Sequence, residues 1–161
     1  MMGTAMFYHL TRSTAEDTVT SLLGRAVGMG WRIMIRGRDA DRLTRLDAHL
    51  WLHPENSFLP HGRAGGADDA AQPVLLGDGP ITNAATAMMV LDGAEVGLTE
   101  AQTLARVWLI FDGQDQAALA AARAQWKTLT EAGIAAQYWS EDTGKWQMKA
   151  EKLAPDKKAP T

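Results

Sequence analysis

Residues 106–139 read RVWLIF, DG, QDQAALAAARAQWKTLTEA, G, IAAQYW, and the order of those pieces decides the fold. Arg106 to Phe111 is a short apolar run rich in aromatic and β-branched side chains, the pattern of a buried strand. Gln114 to Ala132 is the longest helical signal in the chain, rich in alanine and closed by Gly133. Ile134 to Trp139 reads as a second strand. Strand, helix, strand is the alternation of an α/β fold, which sets its strands mostly parallel in one sheet through right-handed crossovers.

The same alternation continues outward. Ala5 to Leu10 reads as a buried strand. Ser13 follows as the expected N-cap, with Glu16 three residues on as its capping-box partner. Val19, Leu22, Leu23, Ala26 and Val27 then recur at helical spacing, and Gly28 and Gly30 end that helix. Trp31 to Ile35 reads as a strand. Asp39 or Asp41 starts a helix with Leu43, Leu46 and Leu50 on one face, stopped by Pro54. Residues 52–72, with Pro54, Pro60, Gly62, Gly65, Gly66 and Asp68-Asp69, read as one long loop, a length more often functional than idle. Pro73 to Leu76 and Ala87 to Leu91 are further strands, and Thr99 or Glu100 begins a short helical stretch. The expectation is an α/β, Rossmann-like three-layer domain with a mostly parallel sheet and helices on both faces. It occupies residues 1–149, with no internal repeat. Residues 150–161 are polar and proline-containing, and are expected to be a disordered tail.

The chain has 161 residues and a mass of 17.4 kDa, the size of one domain. It contains no cysteine, which excludes disulfides, thiolate metal sites and a cysteine nucleophile, and fits a cytoplasmic protein. No apolar run is long enough to span a membrane, and Met1 to Leu10 lacks the pattern of a secretory leader. The net charge of -3 argues against a general nucleic-acid binder. Its distribution is uneven. Residues 1–120 carry nine arginines against fourteen carboxylates, residues 121–161 seven cations against five, and all six lysines lie at or after Lys127. The C-terminal quarter is the electropositive end, suited to an anionic partner.

The chemistry expected of an α/β enzyme is missing. No Gly-x-x-x-x-Gly-Lys-Ser/Thr occurs. Leu10-Thr11-Arg12-Ser13 stands where a dinucleotide-binding Gly-x-Gly-x-x-Gly would follow the first strand. His49 and His53 are four apart, with His61 beyond, but Pro54 breaks the helix and no glutamate follows His49, so surface and loop histidines are favoured over a metal site. Ser57 and His61 share the long loop without a nucleophile elbow. Aromatic residues in polar company stand out instead: Trp51, the triplet Phe58-Leu59-Pro60, and Trp126 between Gln125 and Lys127. Arg123 and Trp126 share a helix face with Thr130. Exposed aromatics beside cations are the material of protein-binding hot spots.

Five ordered blocks then resemble a known family. Phe7-Tyr8-His9-Leu10, Leu46-Asp47-x-x-Leu50-Trp51, Ser57-Phe58-Leu59-Pro60-His61-Gly62, Gln72-Pro73-Val74, and Ala122-Arg123-x-x-Trp126-Lys127 followed by Ala132-Gly133 resemble the chi subunit of bacterial DNA polymerase III, over residues 5–148. The resemblance implies a cytoplasmic, non-catalytic subunit of the polymerase holoenzyme, without a cofactor and with mainly indirect contact to DNA. Its implied partners are the acidic C-terminal tail of single-stranded DNA-binding protein, the psi subunit of the clamp loader or an equivalent, and in some bacteria a repair helicase. The implied tail-binding residues are Arg123, Trp126, Lys127, Gly133 and Ile134. The implied psi or helicase surface is Trp51, Phe58, Pro60 and His61. Leu119 and Thr130 or Glu131 stand where the family carries further basic residues, so the tail site is less basic here. Two rivals remain: a small hydrolase or nucleotide-binding enzyme using the 52–72 loop, and direct binding of single-stranded DNA through Trp126, Trp139, Trp146 and the lysines.

Overall fold

The computed structural model describes residues 3–52 and 61–153. Eight strands form one sheet in the order β3-β4-β2-β5-β6-β1-β7-β8. They are β1 (Thr4–Leu10), β2 (Ile33–Arg36), β3 (Gly62–Arg63), β4 (Val74–Gly77), β5 (Ala87–Leu91), β6 (Arg106–Asp112), β7 (Ala135–Ser140) and β8 (Gln147–Lys152). Every neighbouring pair is parallel except β7 and β8, which are antiparallel. Helices α1 (Ala15–Gly28) and α2 (Ala40–Leu52) cover one face. The other carries α3 (Leu98–Thr103) and α4 (Gln116–Glu131).

The period-two alternation of the central strands sorts the core. Along β6, Trp108 and Ile110 join Val19, Leu22, Leu23, Leu43 and Leu46 beneath α1 and α2. Val107, Leu109 and Phe111 point the other way, to Ala118, Ala122 and Leu129 of α4. The three-layer α/β expectation is met, and Leu43, Leu46 and Leu50 are the buried face of α2.

Four local readings change. The N-cap of α1 is Thr14, whose hydroxyl accepts from the Asp17 amide at 3.1 Å. Ser13 instead gives its hydroxyl to Glu141, 128 residues away. The second strand starts at Ile33, because Trp31 turns aside to pack on Trp108 at 6.0 Å, under the Arg106 guanidinium. The 52–72 segment holds the two-residue β3 and a short 3-10 turn at Asp69–Ala71. Finally, the boundary at 149 falls inside β8. Ala150, Glu151 and Lys152 pair with Tyr138, Gln137 and Ala136, so these three belong to a strand and not to a disordered tail, and the part of the expected tail from 154 on lies outside the described residues. All six β8 residues are exposed, which left hydropathy no pattern to find.

Candidate functional site

The face formed by α4 and β7 is built by the end of one helix. Asp115 caps α4 by accepting from the Ala118 amide. At the other end the chain leaves through a left-handed residue: Gly133 has φ +87°, its amide donates to Thr130 O, and the Ile134 amide reaches back to Leu129 O. These are the paired bonds of a Schellman motif, with Ile134 and Leu129 both buried as its apolar contact. Gly133 and Ile134 therefore shape this face from below. At 2% exposure Ile134 can offer a ligand only its backbone.

Arg123, Trp126 and Lys127 occupy neighbouring positions of the last two turns. Trp126 is half-buried. Its ring meets Phe7 edge-on at 5.3 Å and Tyr138 at 6.1 Å. Arg123 and Lys127 are exposed, and neither has a hydrogen bond or ion pair among the described residues. Leu119 lies partly buried against the same cluster. Thr130 spends its hydroxyl on Trp126 O at 2.7 Å. The face thus offers an aromatic wall flanked by two uncommitted cations, which suits a ligand with an apolar group beside a carboxylate.

Two residues of this face escaped the sequence reading. Tyr138 stacks on Phe7 at 6.3 Å, and its hydroxyl lies 2.9 Å from His9 Nδ1. Burial pushes the Tyr138 phenol up, with the Arg123 charge opposing, so the hydroxyl stays neutral and can donate or accept. The signal was available in β7, where Ala136 and Tyr138 share the α4 side by alternation. The contact to His9, 129 residues away, was not.

The second implied surface is partly described. Trp51 ends α2 with 55% of its surface exposed, and Leu52 beside it with 71%. His61 is buried beneath Trp51, the rings 4.3 Å apart, with Nε2 3.2 Å from Asp47 Oδ1. Phe58 and Pro60 lie outside the described residues, as do Ser57, Pro54 and His53. His49 turns to Asp17 at 3.4 Å, so His49 and His61 serve different carboxylates. Among the described residues no group of metal-ligating side chains gathers. No helix there is long and apolar enough to cross a membrane.

The crevice at the carboxyl ends of β1 and β6, where α1 and α4 depart to opposite faces, has a volume of about 300 Å³. Glu16, Asp92 and Asp112 line it around Arg42, which is already bound to Glu16 and Asp92 at 2.8 Å. A larger cleft of about 820 Å³ at the ends of β2, β4 and β5 contains Arg36 and Arg38. Both terminal nitrogens of the Arg36 guanidinium are held by Glu100, at 2.7 and 2.8 Å, while Arg38 is exposed with no hydrogen bond or ion pair among the described residues. The three-tryptophan DNA platform is not assembled either: Trp126 lies on the α4 side of the sheet, whereas Trp146 packs with Tyr8 on the α1 side.

Residues 2–137 match the family described as DNA polymerase III chi subunit, HolC. The chain is also similar to the DNA polymerase III subunit chi of Escherichia coli (strain K12), with 34% identity over 80 residues. That alignment covers 45% of this chain and 54% of the relative, so the match spans about half of the curated relative's length.

Proposed function

The chain belongs to the DNA polymerase III chi-subunit family, and from that premise we propose that it is a replication accessory subunit that docks the acidic C-terminal tail of single-stranded DNA-binding protein and so links it to the clamp loader. The observation that carries this reading is the α4–β7 face: half-buried Trp126 between the uncommitted Arg123 and Lys127. A tail ending in an aromatic residue would set its ring against Trp126 and its carboxylate at Arg123 or Lys127. Acidic residues upstream would feel the remaining lysines through screened, long-range attraction. Burying one aromatic side chain is worth roughly 1.5–3 kcal/mol, and each charge-assisted contact about 1.5–3. After the cost of association the expected affinity is micromolar, about -8 kcal/mol.

The protein would contribute binding rather than bond-making, as a non-catalytic holoenzyme subunit. A psi-like clamp-loader partner, or a repair helicase, is assigned to the end of α2. The exposed Trp51 and Leu52, with His61 bracing the Trp51 ring, support that assignment. Phe58 and Pro60 belong to it by resemblance.

Fluorescence anisotropy with a labelled tail peptide tests the reading. Arg123→Ala and Lys127→Ala are each expected to weaken binding about 5- to 10-fold, near 1–1.4 kcal/mol, while Trp51→Ala leaves it unchanged. Wild-type affinity in both cation variants would remove the site. No binding by the wild type would remove the function.

A further inference from the structure

The family match ends at residue 137, but the fold continues through β8 to Lys152. The β7–β8 hairpin helps form a groove on the α1 side of the sheet. Between α1 and the β1–β7–β8 edge, this groove has a volume of about 470 Å³ and is walled by Met6, Tyr8, Trp139 and Trp146, with Leu22 and Arg25 on the α1 side. The volume is in the range of sites that hold small molecules or single monomers of a polymer. The Trp146 ring meets Tyr8 edge-on at 5.1 Å, and Trp139 is steadied by a bond from its indole N–H to Gln137 at 3.0 Å. Met148, opposite Trp139 in the β8 register, is 45% exposed and extends the apolar floor.

The charges at the rim are lopsided in their commitments. Arg25 in the wall, Arg12 beside Gly144, and Lys145 next to Trp146 are exposed, and their side chains have no hydrogen bond or ion pair among the described residues. Of the nearby carboxylates, Glu141 is held by three amides and a hydroxyl and Asp142 by Lys149, while Asp17, in the groove wall, is 71% exposed with His49 3.4 Å away. Flat aromatic surface with free cations at its edge complements a chain that alternates aromatic rings with negative charges. We propose that this groove binds single-stranded nucleic acid, with bases against Trp139 and Trp146 and phosphates at Arg25 and Arg12. Stacking of bases on aromatic side chains tolerates any sequence, and the few cations keep the affinity modest. The site lies across the sheet from the Arg123–Trp126–Lys127 face and does not depend on the function proposed above.

The test uses the full chain and a fluorescein-labelled fifteen-nucleotide oligo-dT, with no partner protein present. Binding is expected by anisotropy at low salt. The log–log salt slope should be about -1.4 to -2, as two or three phosphate contacts on a single strand give. Arg25→Glu, an exposed position, and Trp146→Ala are each expected to weaken it at least about fivefold, with circular dichroism confirming the fold, while Arg123→Glu leaves it unchanged. No binding at low salt would overturn the proposal. So would equal affinity in Arg25→Glu, an equal loss in Arg123→Glu, or a duplex of the same length bound as tightly. Because no tail peptide is used, a negative result here leaves the tail-binding function standing, and the reverse also holds.

Discussion

Glu141 sits in the turn after β7 with 5% of its surface exposed. One oxygen accepts from the amides of Thr11, Arg12 and Ser13, at 3.1, 3.0 and 2.7 Å, and the other accepts from the Ser13 hydroxyl at 2.7 Å. Burial alone would raise its pKa. The donated hydrogen bonds from Ser13, Arg12 and Thr11 outweigh burial and hold the carboxyl below its ordinary value. A lowered folded-state pKa means that stabilisation is complete above the unfolded value, about 4.3, and is lost as pH falls through the folded one. Glu141→Gln is expected to lower urea-unfolding stability at pH 7 by about 1.5–3 kcal/mol. The gap to wild type should close as the pH is taken below 4. A gap that stays constant between pH 7 and pH 3.5 would show that the charge is not what ties the hairpin to the first loop. The same carboxylate explains why Ser13 misleads as a cap: a local capping box competes with a partner that sequence proximity cannot reveal.

Elements with an apolar rhythm were legible and those without one were not. The short apolar runs of β1, β5 and β6 and the leucine spacing of α2 placed those elements to within a residue or two, because strands covered on both faces, and a helix covered on one, must be apolar where they are buried. At the candidate site, helical spacing placed Arg123 and Trp126 on one face of α4, and the resemblance added Lys127. Gly133 was legible as a helix stop, but its pairing of Ile134 with the buried Leu129 was not, since that contact depends on the turn geometry. Strand β8 is exposed throughout, and its pairing is decided by backbone hydrogen bonds to β7 rather than by hydropathy. Two glycines test this balance in opposite directions. Gly133 at φ +87° needs the left-handed region, so Gly133→Ala is expected to cost about 1–2 kcal/mol and lower the melting temperature by roughly 2–8 °C. Gly24 lies inside α1, with nothing within 4 Å of where a Cβ would stand. Gly24→Ala is expected to raise stability by about 0.5–1 kcal/mol. Calorimetry of the two variants should show shifts of opposite sign, and a stabilised Gly133→Ala would contradict the helix-end geometry.

At the scale of the whole molecule, the architecture is one that commonly binds nucleotides, and the crevice outside the carboxyl ends of the strands is where such folds hold them. Here the loop after β1 lacks the glycines that let amides approach a phosphate, and its one cation, Arg12, lies beside Gly144 rather than in the crevice lining. Instead Glu16, Asp92 and Asp112 surround Arg42, whose charge is already shared between Glu16 and Asp92. Burial raises the Asp92 carboxyl despite Arg42, with Glu16 and Asp115 adding to the rise. A phosphate entering the crevice would meet repulsion and an arginine it could recruit only by breaking two ion pairs. Exposed cations without an ion pair among the described residues lie outside this crevice, Arg123 and Lys127 on α4 and Arg12, Arg25 and Lys145 around the hairpin among them, and only the α4 pair and Lys145 belong to the C-terminal quarter that composition marked. A nucleotide held with a dissociation constant near ~50 μM would, at a hundredfold excess, stabilise the fold by roughly 2.7 kcal/mol, or about 5–11 °C for a chain of this size. Thermal unfolding in about 5 mM ATP or NAD, a hundredfold over that constant, is therefore expected to track the nucleotide-free curve to within the shift produced by the same ionic strength of salt. A rise of several degrees that Asp92→Asn enhances would mean that the acidic crevice is a nucleotide site after all, with its carboxylates limiting rather than forbidding entry.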